Sequence, residues 1–330
     1  MKKINLAVVG ATGMVGGMFM RVLEERKFPV NKFYAFASAR SAGQKINFAG
    51  GEYAVEELKE DSFDRGIDVA LFSAGGGVSK IFAPIAASKG CVAVDNSSAW
   101  RMEDDVPLVV PEVNPEDIKK HKGIIANPNC AVIPSVVALK PLHDKYKVKR
   151  IVYSTYQSVS GAGMSGYRDL ENGLKGIEPK KFPGVIAHNC LPHIDVFTES
   201  GYTKEEIKMT DETQKIMHAP EIRITATTVR VPVYYGHCVS INAEFTNKFD
   251  LDELIAILQN SPGVVLKNDH MNNEYPTPLM AEGKDEVFVG RIRRDFSVES
   301  GINLWVAADN VRKGAATNAV QIAEELIKIL

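Results

Sequence analysis

In the segment IIANPNCAVIPSVVALK, Cys130 stands where an apolar, strand-like run gives way to a helix-like one. A thiol at a helix start meets the positive end of the helix dipole, which favours the thiolate and raises the reactive fraction near neutral pH. Asn129 directly precedes it and can donate a hydrogen bond to an oxyanion developing on an attacked carbonyl. Taken alone, the same context fits a small buried packing cysteine equally well.

A second cluster, GATGMVG, places Gly10, Gly13 and Gly16 after one apolar run and before a helical pattern. Glycines there allow a tight turn and close approach of backbone to a pyrophosphate, whose charge the helix N-terminus attracts. The spacing is G-x-x-G-x-x-G rather than G-x-G-x-x-G, so the strand–turn–helix context carries the reading more than the motif does. A glycine-rich turn without a ligand is the alternative. Downstream, SARSAG presents Ser38, Arg40 and Ser41 where an NAD-binding fold would carry Asp or Glu. A carboxylate would accept ribose hydroxyls and repel a 2′-phosphate, whereas arginine offers that phosphate a charge-assisted fork. The expected cofactor is NADP, with a solvated surface arginine as the alternative.

These residues need elements to hold them. Ile4–Val9, Phe33–Ala37, Val69–Phe72, Val92–Val94 and Gly123–Asn127 read as strands, and Met14–Arg26 and Ile81–Lys89 as helices. Strands alternating with helices predict a Rossmann-like, doubly wound parallel sheet. After Cys130 the expectation is a helix from Pro134 to Tyr146, then β-type runs at Val148–Val159, Ile222–Pro232, Cys238–Phe245, Val287–Arg293 and Ile302–Ala308. Their length and their Val, Ile and Thr content predict a second, largely antiparallel catalytic and dimerisation domain, an α+β unit beside an α/β one. The amphipathic segment Ala315–Leu330 is expected to return to the first sheet. The domains would then be 1–128 plus about 310–330, and 129–309.

Composition sets outer limits. The chain has 330 residues, 45% hydrophobic and 24% charged, with 39 basic against 41 acidic side chains and a net charge of −2. That balance offers no footprint for nucleic acid or an anionic membrane. The apolar run in MKKINLAVVG is too short for a signal peptide or a membrane span, so a cytoplasmic protein is expected. Cys91, Cys130, Cys190 and Cys238 lie far apart without a CxxC pair, which argues against a disulfide framework and against a metal site.

GATGMVG, SARSAG, VDNSSAWRM, NPNC, STYQSVSGAG and VRVPVYYGH stand in the order found in aspartate-β-semialdehyde dehydrogenases, a family the chain resembles. EEIKMTDETQKIM, FVGRIRRD and AADNVRKGAATNAVQIAE extend the resemblance nearly end to end. It implies NADPH-dependent reductive dephosphorylation of L-aspartyl-4-phosphate to L-aspartate 4-semialdehyde through a Cys130 thioester. Lysine (by way of diaminopimelate), threonine, methionine and isoleucine would be the downstream products. Carried onto this sequence, it makes Gln157 the residue that orients the acyl group and Arg230 the clamp on the substrate α-carboxylate. His237 becomes the general acid/base, past an expected hairpin tip. Arg101 and Lys208 would hold the phosphate, and Glu205 the substrate ammonium. Cofactor contacts would fall at Gly10, Thr12, Gly13, Met14, Val15, Gly16, Arg40, Ser41, Ser160, Gly161 and Asn310. The assembly would be a homodimer or homotetramer.

Each role has a plainer counterpart: solvated cations at Arg101 and Lys208, a surface i,i+3 pair at Glu205 and Lys208, a structural histidine at His237. Three other functions share parts of the pattern. An N-acetyl-glutamyl-phosphate reductase uses the same chemistry on a longer substrate, and an acyl-CoA reductase would accept CoA thioesters. A non-catalytic nucleotide-binding paralogue need not keep Cys130, Gln157, Arg230 and His237 together.

Overall fold

The first strand, Ile4–Val9 (β1), is almost wholly apolar because it is covered on both faces, and its residues are nearly all buried. The computed structural model describes residues 3–330. After β1 come Met14–Glu25 (α1), Val30–Ala37 (β2), a hairpin of Lys45–Phe48 (β3) and Gly51–Ala54 (β4), and Glu56–Glu57 (β5). Val69–Phe72 (β6), Gly76–Ser88 (α2), Val92–Asp95 (β7) and Ile124–Ala126 (β8) follow. The main sheet runs β5-β2-β1-β6-β7-β8 with every pairing parallel. Strand order therefore grows outward from β1 in both directions, which makes the carboxyl end of β1 the switch point where such sheets bind ligands.

The chain divides into two units, Met1–Pro128 with Ala315–Leu330, and Asn129–Gly314. Residues 310–314, which the sequence reading grouped with the first domain, lie in the second. The C-terminal helix spans Thr317–Leu326, and its Ala319, Ile322, Ala323 and Leu326 pack into the core formed by Leu6, Val8, Phe19 and Leu71. Arg312–Ala316, just before it, is a π-helical turn, a form that recurs near functional sites.

In the second unit Val132–Tyr146 (α3) leads into Val148–Gln157 (β9). Gly163–Gly173 (α4), Lys204–Met217 (α5), Arg223–Arg230 (β10), His237–Phe245 (β11) and Leu251–Gln259 (α6) come next. Val264–Leu266 (β12), Pro278–Ala281 (α7), Val287–Arg294 (β13) and Gly301–Ala308 (β14) complete it. The sheet order is β10-β9-β11-β14-β13-β12. The three central pairings are antiparallel, whereas β10 with β9 and β12 with β13 are parallel. Helices α3, α5 and α6 cover one face. On the other, Tyr156 and Trp305 pair at 5.1 Å between ring centroids.

Several boundaries differ from the expected ones for identifiable reasons. Helix α3 begins at Val132 rather than Pro134, because proline needs no N–H anywhere in the first turn. Helix α2 begins at Gly76, earlier than Ile81, since its first turn carries little apolar periodicity. The link from Arg230 to His237 is not a hairpin: β10 and β11 lie on opposite sides of β9, so the connection crosses it. Alternation within β10 and β11 looks the same in either topology, and only pairing distinguishes them. The elements β3, β4, β5, β12 and α7 are too short to show a periodicity, whereas α4 and α6 are amphipathic and went unassigned in the sequence reading.

Candidate active site

In the first unit the GATGMVG turn closes over the end of β1. Gly10 has a φ of +88°, and a Cβ there would collide with the Ser73 carbonyl oxygen at the end of β6. Only glycine lets these strand ends approach so closely. A Cβ on Gly16 would run into the Gly10 carbonyl, so that glycine lets α1 sit tight against the turn. Gly13 caps α1 without a side-chain hydrogen bond, leaving the first-turn N–H groups of Met14 and Val15 directed at an incoming anion. A cleft of about 380 Å³ lies here, lined by Gly10, Thr12, Gly13, Ser38, Glu57 and Ser73 among others. Arg40 is exposed in the turn Ala39–Ser41, and the Ser41 hydroxyl meets that of Thr12 at 3.3 Å. The donors and the clearance fit a dinucleotide pyrophosphate. Glu57 was missed by the sequence reading; it belongs to a two-residue strand, and it pairs with Lys59 at 3.2 Å.

Arg101 is also in the first unit and is buried. Its Nε donates to the Asn127 carbonyl at 2.9 Å and its Nη2 to the Asn96 carbonyl at 3.0 Å. Backbone carbonyls thus aim this cation, so it is not a loose surface charge.

The second unit gathers the other candidates around the carboxyl ends of β9 and β10. Parallel register sets Arg230 beside Gln157. In β10 the alternation puts Ala226, Thr228 and Arg230 on the buried face. Cys130 lies just ahead of α3, whose N-cap residue, Ala131, has no side chain able to cap. Asn129 does that work instead: its Oδ1 accepts from the N–H of Ala131 at 2.8 Å and of Val132 at 3.4 Å. Its Nδ2 donates to Glu205 Oε1 at 2.8 Å, and its backbone N–H donates to Glu212 Oε2 at 2.6 Å. The side-chain amide, expected to face an oxyanion, is therefore engaged with a carboxylate, as the next acidic group in space was not visible in the sequence.

Glu205 is 5% exposed, far from a surface ion pair. It accepts from Asn129, from Gln157 Nε2 at 3.2 Å, and from Lys208 Nζ at 3.2 Å. Burial pushes its carboxyl up, but the Lys208 ammonium and the two amides outweigh this and hold it below the ordinary carboxylate range. Lys208 also reaches Asp195 Oδ2 at 2.7 Å. Helix α5 is set in place by its own start: Glu206 accepts from Thr203 N in a capping box and from Thr228 N on β10.

Arg230 is 5% exposed, and among the described residues no carboxylate pairs with it. Its Nη1 donates to the Ser158 carbonyl at 2.7 Å, and its guanidinium lies 5.7 Å from the Phe182 ring. Burial lowers its pKa, while a charge on Cys130 or Glu205 acts to raise it, so the Cys130 sulfur falls within its field. A buried cation with no bonded carboxylate is costly, and a bound anion would offset that cost.

His237 is 1% exposed. Its Nδ1 accepts from the Ser158 N–H at 3.1 Å and lies 3.0 Å from the Ser158 hydroxyl, while Nε2 has no partner among the described residues. Burial foremost, then the nearby Arg230 charge, hold its pKa well below the usual histidine value. Gly161 closes this corner. A Cβ there would stand 2.8 Å from Arg230 Nη1 and 3.1 Å from His237 Nε2, so a side chain would displace both groups. Ser160 and Asn310 hydrogen-bond each other at 3.0 Å in the same network. Gly314, in the π-helical turn, faces Cys130: a Cβ there would come within 3.0 Å of the cysteine Cβ. The sequence reading missed Ser158, Gly314 and Glu212. Ser158 stood in plain view inside QSVSGAG, but a serine signals little until its neighbours in space are known.

No disulfide links any of the four cysteines. Burial pushes the thiol of Cys238 up to about 12 and that of Cys91 higher still. Among the described residues no helix is long and apolar enough to cross a membrane.

Two family models match the chain: "semialdehyde dehydrogenase, NAD binding domain" over residues 5–121 and "semialdehyde dehydrogenase, dimerisation domain" over residues 139–313. An aspartate-semialdehyde dehydrogenase of Aquifex aeolicus is 59% identical over 98% of both chains. The solved structure of aspartate semialdehyde dehydrogenase II from Vibrio cholerae, complexed with ASA, superposes with a TM-score of 0.96 at 47% identity over 99% of each chain. A structure from Candida albicans with NADP superposes with a TM-score of 0.78 at 26% identity, again over 99% of each.

Proposed function

Because the chain belongs to the aspartate-semialdehyde dehydrogenase family, we propose that it converts L-aspartyl-4-phosphate, NADPH and a proton to L-aspartate 4-semialdehyde, NADP and inorganic phosphate, the proton ending on the phosphate. This is an oxidoreductase reaction on the aldehyde/acyl pair, at a step of amino-acid biosynthesis. The Cys130 thiolate attacks the acyl carbon, and the tetrahedral oxyanion collapses with departure of phosphate, leaving a thioester. The bound dinucleotide supplies the hydride. The second oxyanion then expels the Cys130 thiolate and frees the aldehyde. Cysteine makes the reduction possible because a thioester has a leaving group that a carboxylate lacks.

Arg230 receives the substrate α-carboxylate, Glu205 its ammonium, and Gln157 orients the acyl group between them. Arg101 and Lys208 hold the departing phosphate. Asn129 positions Glu205 and caps the helix that activates Cys130, and His237 Nε2 attends the substrate oxygen. The observation that carries this reading is the buried Arg230 guanidinium without a carboxylate partner. An ammonium-bearing carboxylate substrate supplies the anion to Arg230 and a cation to Glu205 at once. An N-acetylated substrate has no ammonium to offer that carboxylate. The test is phosphate-dependent reduction of NADP by aspartate semialdehyde; activity only with CoA thioesters or with an N-acetylated semialdehyde would replace this reading.

NADP is the assigned cofactor, with the ribose 2′-phosphate held at Ser38, Arg40 and Ser41. Arg40→Asp should weaken NADP binding about 10- to 100-fold, the worth of a charge-assisted hydrogen bond, and leave NAD binding nearly unchanged. Equal affinity of the unaltered protein for both dinucleotides would refute the assignment, with Glu57 in the cleft then the natural ribose ligand.

The assembly is a homodimer built on the open face of the second sheet, where Tyr156 is exposed beside Trp305. A half-apolar sheet face of this kind needs a cover. Sedimentation of the protein at micromolar concentration as monomer alone would overturn this.

A further inference from the structure

Arg230 is held by backbone groups and by one aromatic ring. Leu191 pairs with it in both directions: the Leu191 N–H donates to the Arg230 carbonyl at 2.9 Å, and the Leu191 carbonyl accepts from the Arg230 N–H at 2.8 Å. The Ser158 carbonyl accepts from Nη1 at 2.7 Å. The guanidinium carbon lies over the Phe182 ring, 5.7 Å from its centroid. Nε and Nη2 donate to no group among the described residues, so those N–H groups are left for a ligand.

Phe182 belongs to the irregular stretch between α4 and α5, and that stretch has its own clamp. Asp169, buried on α4, accepts the backbone N–H of Lys180 at 2.9 Å, of Lys181 at 2.7 Å and of Phe182 at 2.9 Å. Three amides satisfy this carboxylate and tie the end of the loop to the helix. Gly166, one turn earlier on α4, makes room for the ring, since a Cβ there would stand 2.9 Å from Phe182 Cζ. The ring also packs against the small core of Val159, Leu170 and Ile186. Helix α4 thereby fixes both the backbone and the ring of Phe182.

We infer that Phe182, clamped by Asp169, is a positioning residue whose ring holds the Arg230 guanidinium in place for the substrate α-carboxylate. This rests on the role proposed above for Arg230. The negative face of an aromatic ring attracts a cation, and more strongly where water is excluded. A ring therefore offsets part of the cost of burying Arg230 without neutralising it. A carboxylate in the same place would pair with the guanidinium bidentately and occupy the N–H groups that the substrate needs. A side chain held before the substrate arrives also loses less rotamer freedom on binding.

The experiment compares the full-length protein with Phe182→Leu and with a form whose Phe182 ring is fluorinated at both meta positions. Fluorine drains the negative face of the ring and changes its shape little, so it weakens the attraction for a cation. Phe182→Leu should raise KM for aspartate semialdehyde about 2- to 30-fold, the range of a cation–π contact, with kcat changed far less. The fluorinated ring should give an intermediate KM. Asp169→Asn presents an NH₂ group where the amides need an acceptor, and it should raise KM in the same direction. Equal KM in the unaltered and fluorinated proteins, or a fall in kcat alone, overturns the role of the ring. An unchanged KM in Asp169→Asn overturns the clamp. A second readout needs no substrate: the side-chain nitrogen NMR signal of Arg230, identified by its loss in Arg230→Leu, should shift in Phe182→Leu. A signal that stays in place overturns the inference even where aspartate semialdehyde is turned over. A protein without that activity that still shows the shift loses the proposed reaction and keeps the contact, so the two readings fail separately.

Discussion

Replacing Cys130 with serine should leave the fold intact and lower turnover at least about a thousandfold, the scale on which covalent catalysis loses its nucleophile. The oxygen is smaller than sulfur, so no clash arises at Gly314, where the missing Cβ leaves room for the Cys130 Cβ. What is lost is ionisation. The start of α3, capped by Asn129, and the field of Arg230 favour a thiolate, whereas a serine hydroxyl stays protonated there. Trapping with aldehyde and oxidised cofactor, followed by mass spectrometry, should find the acyl group on Cys130 only. Cys91 and Cys238 are buried with raised pKa values, and Cys190 is exposed on the surface. An adduct on any of these three, or full turnover in the serine variant, would show that the nucleophile is misassigned.

Arg230→Leu should lower kcat/KM roughly 30- to 4,000-fold, corresponding to about 2–5 kcal/mol for breaking a buried charge pair. The loss should fall mainly on KM, because the guanidinium meets the same carboxylate in ground and transition states. The free protein should not become less stable. Its guanidinium is a buried charge with no carboxylate bonded to it, held by the Ser158 carbonyl and the Phe182 ring, and leucine removes that desolvation cost. Gly161→Ala crowds the same guanidinium and the His237 ring, so it should depress activity in the same direction. Steady-state kinetics with aspartate semialdehyde measure both, and an unchanged KM in Arg230→Leu would remove Arg230 from substrate binding.

Acidification supplies a related check on His237. A buried histidine held below its ordinary pKa contributes stability above the unfolded-state value, about 6.5. That contribution is lost as pH falls towards the folded value, because the unfolded chain takes up the proton first. His237→Asn should flatten this acid-side decline in melting temperature.

The sequence alone determined those features that local chemistry dictates. The apolar run Ile4–Val9 ahead of a glycine turn reads as a strand feeding a nucleotide loop, because strand burial and glycine backbone freedom are properties of contiguous residues. NPNC, QSVSGAG and VRVPVYYGH likewise carried the resemblance that named the chemistry, and with it Cys130, Gln157, Arg230 and His237. Tertiary structure decided how those side chains are used. Asn129, adjacent to Cys130, turns its amide to Glu205, 76 positions away, and Ser158 becomes the partner of His237, 79 positions away. Nor could periodicity reveal that β9 lies between β10 and β11, since alternation marks which face is buried and not which strand is the neighbour.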